Sequence, residues 1–158
     1  MTIKKDILDA QHSIAHGVYV ISTVFKERVN AMTAAWVARA SFEPPLLTVA
    51  VGHARFTHSM ITSSGVLAVN VLGSDNLETG RHFGLKTGRR TDKFKDVPYD
   101  VKVTGAPILR DCIAWMDCRV VDSVEAGDHT VFVAEILEAG VLRRQADTLI
   151  YSREDFFR

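Results

Sequence analysis

Cysteine is scarce in this chain: among 158 residues there are two, Cys112 and Cys118. They stand six positions apart in a stretch that reads as one strand, a separation of about 20 Å. That is beyond disulfide reach, so both are expected to be reduced and buried as small apolar residues. The spacing is not Cys-x-x-Cys, which excludes the pattern of a redox dithiol or a zinc knuckle. Net charge is also missing. Lys plus Arg number 19 and so do Asp plus Glu, which leaves none of the broad positive field that nucleic-acid binders use. The most apolar run, Leu46 to Val51, is far short of the roughly 20 residues of a membrane-spanning helix. The opening Met1 to Asp6 lacks the apolar core of a signal peptide. The expectation is a soluble, cytoplasmic protein with no nucleic-acid and no membrane partner.

Several catalytic patterns are absent as well. No two of the ten glycines are two positions apart, so the Gly-x-Gly that opens a dinucleotide fingerprint does not occur, and there is no P-loop. No Gly-x-Ser-x-Gly elbow and no His-Glu-x-x-His zinc helix occur. His12 and His16 are spaced to share a helix face, but no third ligand accompanies them, so they read as surface histidines and no metal site is assigned. No internal repeat, low-complexity segment or linker divides the chain, and residues 1–158 are read as a single domain.

What is present is core-forming material, 47% hydrophobic, enough for a sizeable interior. Ile3, Ile7, Leu8 and Ile14 fall at helical spacing, predicting a leading helix from Ile3 to Ala15. Val18 to Val24 and Val29 to Ala35 read as strands of a hairpin around a turn at 25–28. Pro44 and Pro45 precede a strand from Leu46 to Val51. Thr57 to Ser64 predicts a short helix stopped by Gly65, with Val66 to Leu72 as the next strand. Asp75 to Phe83 reads as a helix, and the charged stretch Gly84 to Pro98 as an exposed loop. Two long strands, Cys112 to Val124 and His129 to Leu142, flank a turn at 125–128. Many strands, long antiparallel pairings and few helices predict a mainly β fold with peripheral helices, a closed or partly closed barrel.

The informative residues are Asn30-Ala31-Met32-Thr33-Ala34-Ala35-Trp36, Pro44-Pro45, Arg55-Phe56-Thr57-His58 and the strand 68–72. Downstream come Asp92-Lys93-Phe94, Gly127-Asp128-His129 with the strand after it, and Tyr151 to Phe157. In this order and spacing they resemble the flavin reductase-like FMN-binding family, and within it the flavoredoxin branch, from about Gly17 to the C-terminus. The chemistry agrees with the resemblance. FMN needs donors for a doubly charged phosphate, polar groups for its pyrimidine edge and flat apolar surface for its ring. Thr33 and Thr57 offer hydroxyls, Arg55 and Lys93 positive charge. Ala34 and Ala35 permit close backbone approach, Trp36 offers a wall for the ring, and Met32 a polarizable filler.

The resemblance implies side-chain contacts to FMN from Asn30, Trp36, Thr57, Lys93 and His129, with Phe156 or Phe157 as a C-terminal aromatic. It implies a split β-barrel with the cofactor near the interface of a homodimer, and no catalytic side chain, because the flavin does the chemistry. Each residue has a plainer alternative: core aromatic for Trp36, β-former for Thr33, turn residue for Asn30, edge residue for His129. Thr57 reads as the N-cap of its helix, a position that also suits a phosphate. Lys86, Arg89, Arg90 and Lys95 read as solvated surface, and Asn70 as satisfied within the sheet. Several flavin reductases carry Gly where this chain has Ala31 and Ala134, and no rubredoxin-like Cys-x-x-Cys extension is appended. The implied function is an FMN-binding oxidoreductase that takes hydride from NADH or NADPH and passes electrons to a separate acceptor: a flavin, iron or a protein. The alternative is a flavoredoxin-type electron-transfer flavoprotein, its FMN tightly held and reduced by a protein partner.

Overall fold

The computed structural model describes residues 4–157. Seven strands form one sheet: β1 (Tyr19–Phe25), β2 (Arg28–Ala34), β3 (Val37–Ser41), β4 (Leu46–Gly52), β5 (Val66–Val71), and the long pair whose labels follow below. Its helices are α1 (Lys5–His12), α2 (Phe56–Ser64), α3 (Leu77–Gly84) and the single turn Arg153–Phe156. A small ladder, β6 (Tyr99–Asp100) with β7 (Ile108–Leu109), precedes the long strands β8 (Ala114–Ala126) and β9 (His129–Val141). The order across the sheet is β2-β1-β5-β8-β9-β4-β3, all pairings antiparallel.

The two outermost strands, β2 and β3, are neighbours in the chain, joined by Ala35 and Trp36 alone. Three peptide units span at most about 11 Å, whereas the edges of a flat seven-stranded sheet lie about 29 Å apart. The sheet must therefore curl until its edges almost meet. They are not hydrogen-bonded to each other, so the result is a split barrel rather than a closed one.

Alternation then decides what each residue faces. Ile21, Met32, Leu67 and Val69 point into the barrel with Val49, Ile61 and Phe132. Their neighbours Val20, Ala31 and Ala68 point outward into a second core with Phe83, Phe94, Leu109 and Trp115. Strands β1, β2 and β5 are thus buried on both faces, which is why they read as nearly continuous apolar runs. By contrast β4 alternates cleanly, with Leu47, Val49 and Val51 inside. Asn70 ties the outer layer to the sheet: its amide nitrogen donates to the Val20 carbonyl at 3.0 Å and to Ser22 Oγ at 3.2 Å, and its oxygen accepts the Leu109 N–H at 2.8 Å.

The β1–β2 turn is a two-residue link with Lys26 and Glu27 at φ 49° and 65°, the twist a tight hairpin requires. Helix α2 ends at Gly65, φ 70°, a left-handed cap that glycine adopts without strain. The expected leading helix is shorter than its apolar spacing suggested, and Ile3 lies outside the described residues. Ile7 and Leu8 remain exposed, so no described partner buries that face. Strand β3, the small β6–β7 ladder and the C-terminal turn were not expected. Cys112 lies just before β8 rather than in it, and both cysteines are buried and free. Burial pushes the thiols up, to about 11 for Cys112 and about 12 for Cys118, with Asp111 and Asp117 adding to it; thiolate chemistry is suppressed at both. Among the described residues no helix is long and apolar enough to cross a membrane.

Candidate functional site

A cavity of about 340 Å³ opens between β2, the start of α2 and the segment after α3. Asn30 and Met32 reach it from the barrel side of β2, Thr57 from the first turn of α2 with Arg55 just before it, and Lys93 from the long connection. Residues 84–89 close it from the other side, together with Ala54 and Phe56. Four basic side chains line it, Arg55, Lys86, Arg89 and Lys93, and no acidic one does.

Most of the stretch 84–98 is the exposed loop its charge suggested, but Lys93 is 3% exposed, and Gly88 and Phe94 are buried with it. The reason is local and polar. The ammonium donates to the carbonyls of Ala31 at 2.8 Å and Phe83 at 2.9 Å, joining β2 to the end of α3. Its own carbonyl accepts from His82 Nε2 at 2.7 Å. That fixes the neutral His82 tautomer, leaving Nδ1 to accept from Lys86 Nζ at 3.2 Å. Burial, and secondarily Arg55, pull the Lys93 amine down to about 8. Burial also lowers the Arg55 guanidinium. Among the described residues neither cation forms an ion pair with a carboxylate. Two cations drawn out of water toward one cavity without a counter-charge suit an anion that arrives from outside.

Thr57 is not the N-cap. The helix starts at Phe56 after Arg55, with no side-chain cap, and the Thr57 hydroxyl is buried, accepting from the Asn30 amide at 3.0 Å. Asn30 is accordingly a buried strand residue facing the cavity, not a turn residue. Gly88 packs against it so closely that a Cβ there would fall 2.2 Å from Asn30 Oδ1. Gly88→Ala is therefore expected to break the Asn30–Thr57 hydrogen bond or push the 84–89 wall outward. The costs of such overpacking are about 1–3 kcal/mol. Thermal unfolding checks this, and a melting temperature equal to wild type would show that the wall yields freely.

The other expected residues lie elsewhere. Period-two alternation turns Thr33 to the far side of β2 from Asn30 and Met32, where its hydroxyl donates to the Gly80 carbonyl at 2.6 Å. Ala34 and Ala35 are half-buried at the seam between the barrel edges. Phe156 stacks on Tyr151, ring centroids 5.8 Å apart, and packs in the outer core behind Gly80 and Gly84. Trp36 is no core aromatic: it is 51% exposed, its ring 4.6 Å from that of His129. The His129 Nδ1–H donates to Asp128 at 2.7 Å, which holds that carboxyl below its usual range. This pair borders the cavity rim across Gly52, where a Cβ would lie 3.6 Å from His129 Nε2 and 3.7 Å from the Arg55 side chain.

Beside it, His58 Nε2 donates to the Thr130 hydroxyl at 2.7 Å, which donates to Glu125 at 2.8 Å, and His53 reaches the same carboxylate at 2.7 Å. Burial and His53 lower His58. These bonds clamp α2 to the β8–β9 hairpin. Among the described residues no group of three or more His, Cys, Asp or Glu is placed to hold a metal. The donor set fits FMN: cations and a threonine for a phosphate, Asn30 for a polar edge, Met32 for an apolar face.

Residues 11–158 match the model of the flavin reductase like domain. The chain is 31% identical to the FMN reductase (NADH) RutF of Stutzerimonas stutzeri, over 94% of this chain and 84% of that protein. It is 29% identical to a high molecular weight rubredoxin of Moorella thermoacetica, over 90% of this chain and 63% of that one. Among solved structures, the NADH:FAD oxidoreductase SgcE6 of Streptomyces globisporus C-1027 superimposes with a TM-score of 0.86 at 26% identity, covering 96% of this chain and 92% of that one. Of several longer curated relatives the chain spans between 23% and 64%.

Proposed function

The chain belongs to the flavin reductase-like domain family, and from that premise we propose that it is an FMN-binding oxidoreductase taking hydride from NADH or NADPH. Electrons leave to a flavin, an iron species or a protein. The observation that carries this is the pair of cations without a counter-charge, buried Lys93 and half-buried Arg55, facing a cavity with no acidic side chain. When bound, FMN supplies a reversible acceptor for two electrons and a proton. The chain's own residues bind and orient it. Arg55, Lys93 and the Thr57 hydroxyl receive the phosphate, Asn30 offers its amide, and Met32 and the outlying Trp36 offer apolar surface. His129 stands at the rim with Nε2 as a polar contact for the cofactor. A homodimer that covers the exposed Trp36–His129 face would enclose the flavin, consistent with the exposure of that tryptophan.

Likeness to a high molecular weight rubredoxin favours a second reading, an electron-transfer flavoprotein with tightly held FMN reduced by a protein partner. The visible spectrum of the purified protein, before and after anaerobic NADH or NADPH, separates them. Flavin bands that bleach support the reductase, and bands that persist support the carrier. No flavin spectrum after FMN is supplied overturns both. Trp36→Ala is expected to shift the bound flavin's absorbance and weaken its retention a few-fold, because aromatic stacking is worth about 0.5–1.5 kcal/mol. An unchanged spectrum and affinity would remove Trp36 from the site.

A further inference from the structure

A second cavity, of about 330 Å³, lies between α3, residues 96–98 and the end of β7, and shares no lining residue with the flavin cavity. Its floor is apolar: Phe83 and Leu109 are buried, with Val97 and Pro98 beside them. Its charge is the reverse of the first cavity's. Glu78, Asp96 and Asp111 line it, and no Lys or Arg does. Glu78 shares its charge with Arg81 at 2.8 Å, but among the described residues Asp96 and Asp111 form no ion pair. Asp111 is met by neutral donors, Asn76 Nδ2 at 2.9 Å and the Thr79 hydroxyl at 3.1 Å. A bare metal ion does not suit this arrangement, since no group of three or more ligands is placed to hold one and an apolar floor supplies no oxygen. An organic ammonium does suit it. Its body covers the floor, where leaving water is favourable, and its charge meets the carboxylates at the wall.

Two residues of this cavity also hold Lys93. Phe83 gives its ring to the floor and its carbonyl to the Lys93 ammonium at 2.9 Å, and His82, in the same wall, donates from Nε2 to the Lys93 carbonyl at 2.7 Å. We infer that the second cavity is a binding site for a small organic ammonium with an apolar body, and that its occupancy steadies Lys93 through His82 and Phe83. The site stands on the cavity itself, whereas its effect on Lys93 rests on the flavin reading of the other cavity. A ligand that binds the arrangement in which Lys93 is seated favours the FMN-ready form, and by reciprocity FMN tightens the ammonium by the same factor.

The test titrates the flavin-free full chain with benzylammonium, and with benzyl alcohol as its uncharged counterpart, and follows backbone amide shifts by NMR in wild type, Asp96→Asn and Val97→Thr. Asp96 is exposed at φ 61°, a conformation asparagine also adopts, and threonine keeps the shape of Val97 while adding a hydroxyl to the apolar wall. Benzylammonium is expected to shift the amides of 78–83, 96–97 and 109–111 and to bind about fivefold tighter than the alcohol or better, with about twofold or more lost in each variant. Shifts confined to other residues, no advantage over the alcohol, or variants that bind like wild type overturn the site. FMN affinity is then read from flavin fluorescence with and without saturating benzylammonium. A rise of about twofold or more supports the effect on Lys93, and an unchanged or lower affinity overturns it. A chain that binds no FMN overturns that effect together with the flavin reading, while the amide titration still decides the site on its own.

Discussion

Replacing Lys93 with alanine is expected to lower FMN affinity about 10- to 100-fold. A hydrogen bond to a charged group is worth about 1.5–3 kcal/mol, and this ammonium has two further duties. It satisfies the carbonyls of Ala31 and Phe83, so its loss also loosens the junction between β2 and α3. Equilibrium titration of flavin fluorescence measures the effect, and retention equal to wild type would remove Lys93 from the phosphate site. A pH dependence accompanies it. Without ligand the amine sits near 8 through burial, with Arg55 beside it as a second cause. Affinity for a dianion should therefore be highest below about pH 8 and fall as pH rises through it, while Lys93→Ala flattens that profile. Stability of the ligand-free protein takes the opposite sign. Between about 8 and the ordinary value of 10.5 the unfolded chain holds a proton at Lys93 that the folded chain has released, so this group makes folding more favourable as pH rises across that window. FMN affinity unchanged from pH 7 to 10 would contradict the placement.

Asn70→Leu should be the most damaging single change to the fold outside the large apolar residues. Leucine is of similar size, so little cavity is created. What it removes is the acceptor for the buried Leu109 N–H and the donor for Val20 O and Ser22 Oγ. Buried polar groups left unpaired cost about 1–3 kcal/mol each. A total near 3 kcal/mol corresponds to a fall of about 6–12 °C in melting temperature for a chain of this length. Calorimetry would measure it, and a fall under about 2 °C would mean that water or a rearranged strand restores the bonds.

Asn70 also illustrates what a sequence can disclose. A lone amide inside Ala68-Val69-Asn70-Val71-Leu72 has to be satisfied, because the strand around it is apolar on both sides. Runs of β-branched residues located the hairpins, Gly65 the end of its helix and Pro44-Pro45 the start of β4, whose alternation of buried and half-buried residues its nearly continuous apolar sequence did not show. Within the site, Asn30, Met32, Arg55, Thr57 and Lys93 come together on one cavity. Thr33, Ala34, Ala35, Trp36, His129 and Phe156 do not line it, for reasons that lie between elements. Strand alternation sends Thr33 away from Asn30, and the curl of the sheet carries Trp36 to the seam. That 84–89 lines the cavity was missed because its residues do read as solvent-facing, and all but Gly84 and Gly88 are exposed; what seats the segment at the cavity is bonding to distant residues, Arg28 to Gly88 O and Arg89 to Ala54 O. Strand β3 was missed because three of its five residues are exposed, so it shows no half-buried alternation. Arg28 and Arg89 are 61 positions apart, and nothing local foretells that both guanidiniums lie over the Phe56 ring.

The order of strands has a consequence for how the chain reaches this state. β4 is complete by Gly52, yet its partner β9 begins at His129, with Leu47 facing Ala134. β5 likewise waits for β8, with Leu67 facing Cys118. Pairings this distant in sequence require large loops to close before any contact rewards them, the circumstance that slows folding most. During synthesis, the first half of the chain can form the β1–β2 hairpin and add β5 to it, but β3 and β4 have no sheet to join until β9 has emerged. Half-made protein then exposes the apolar inner face of β4 and an unpaired strand edge, both prone to association. Truncations that end before His129 are accordingly expected to aggregate rather than fold, and the β8–β9 hairpin, made last, is the step that shuts the barrel.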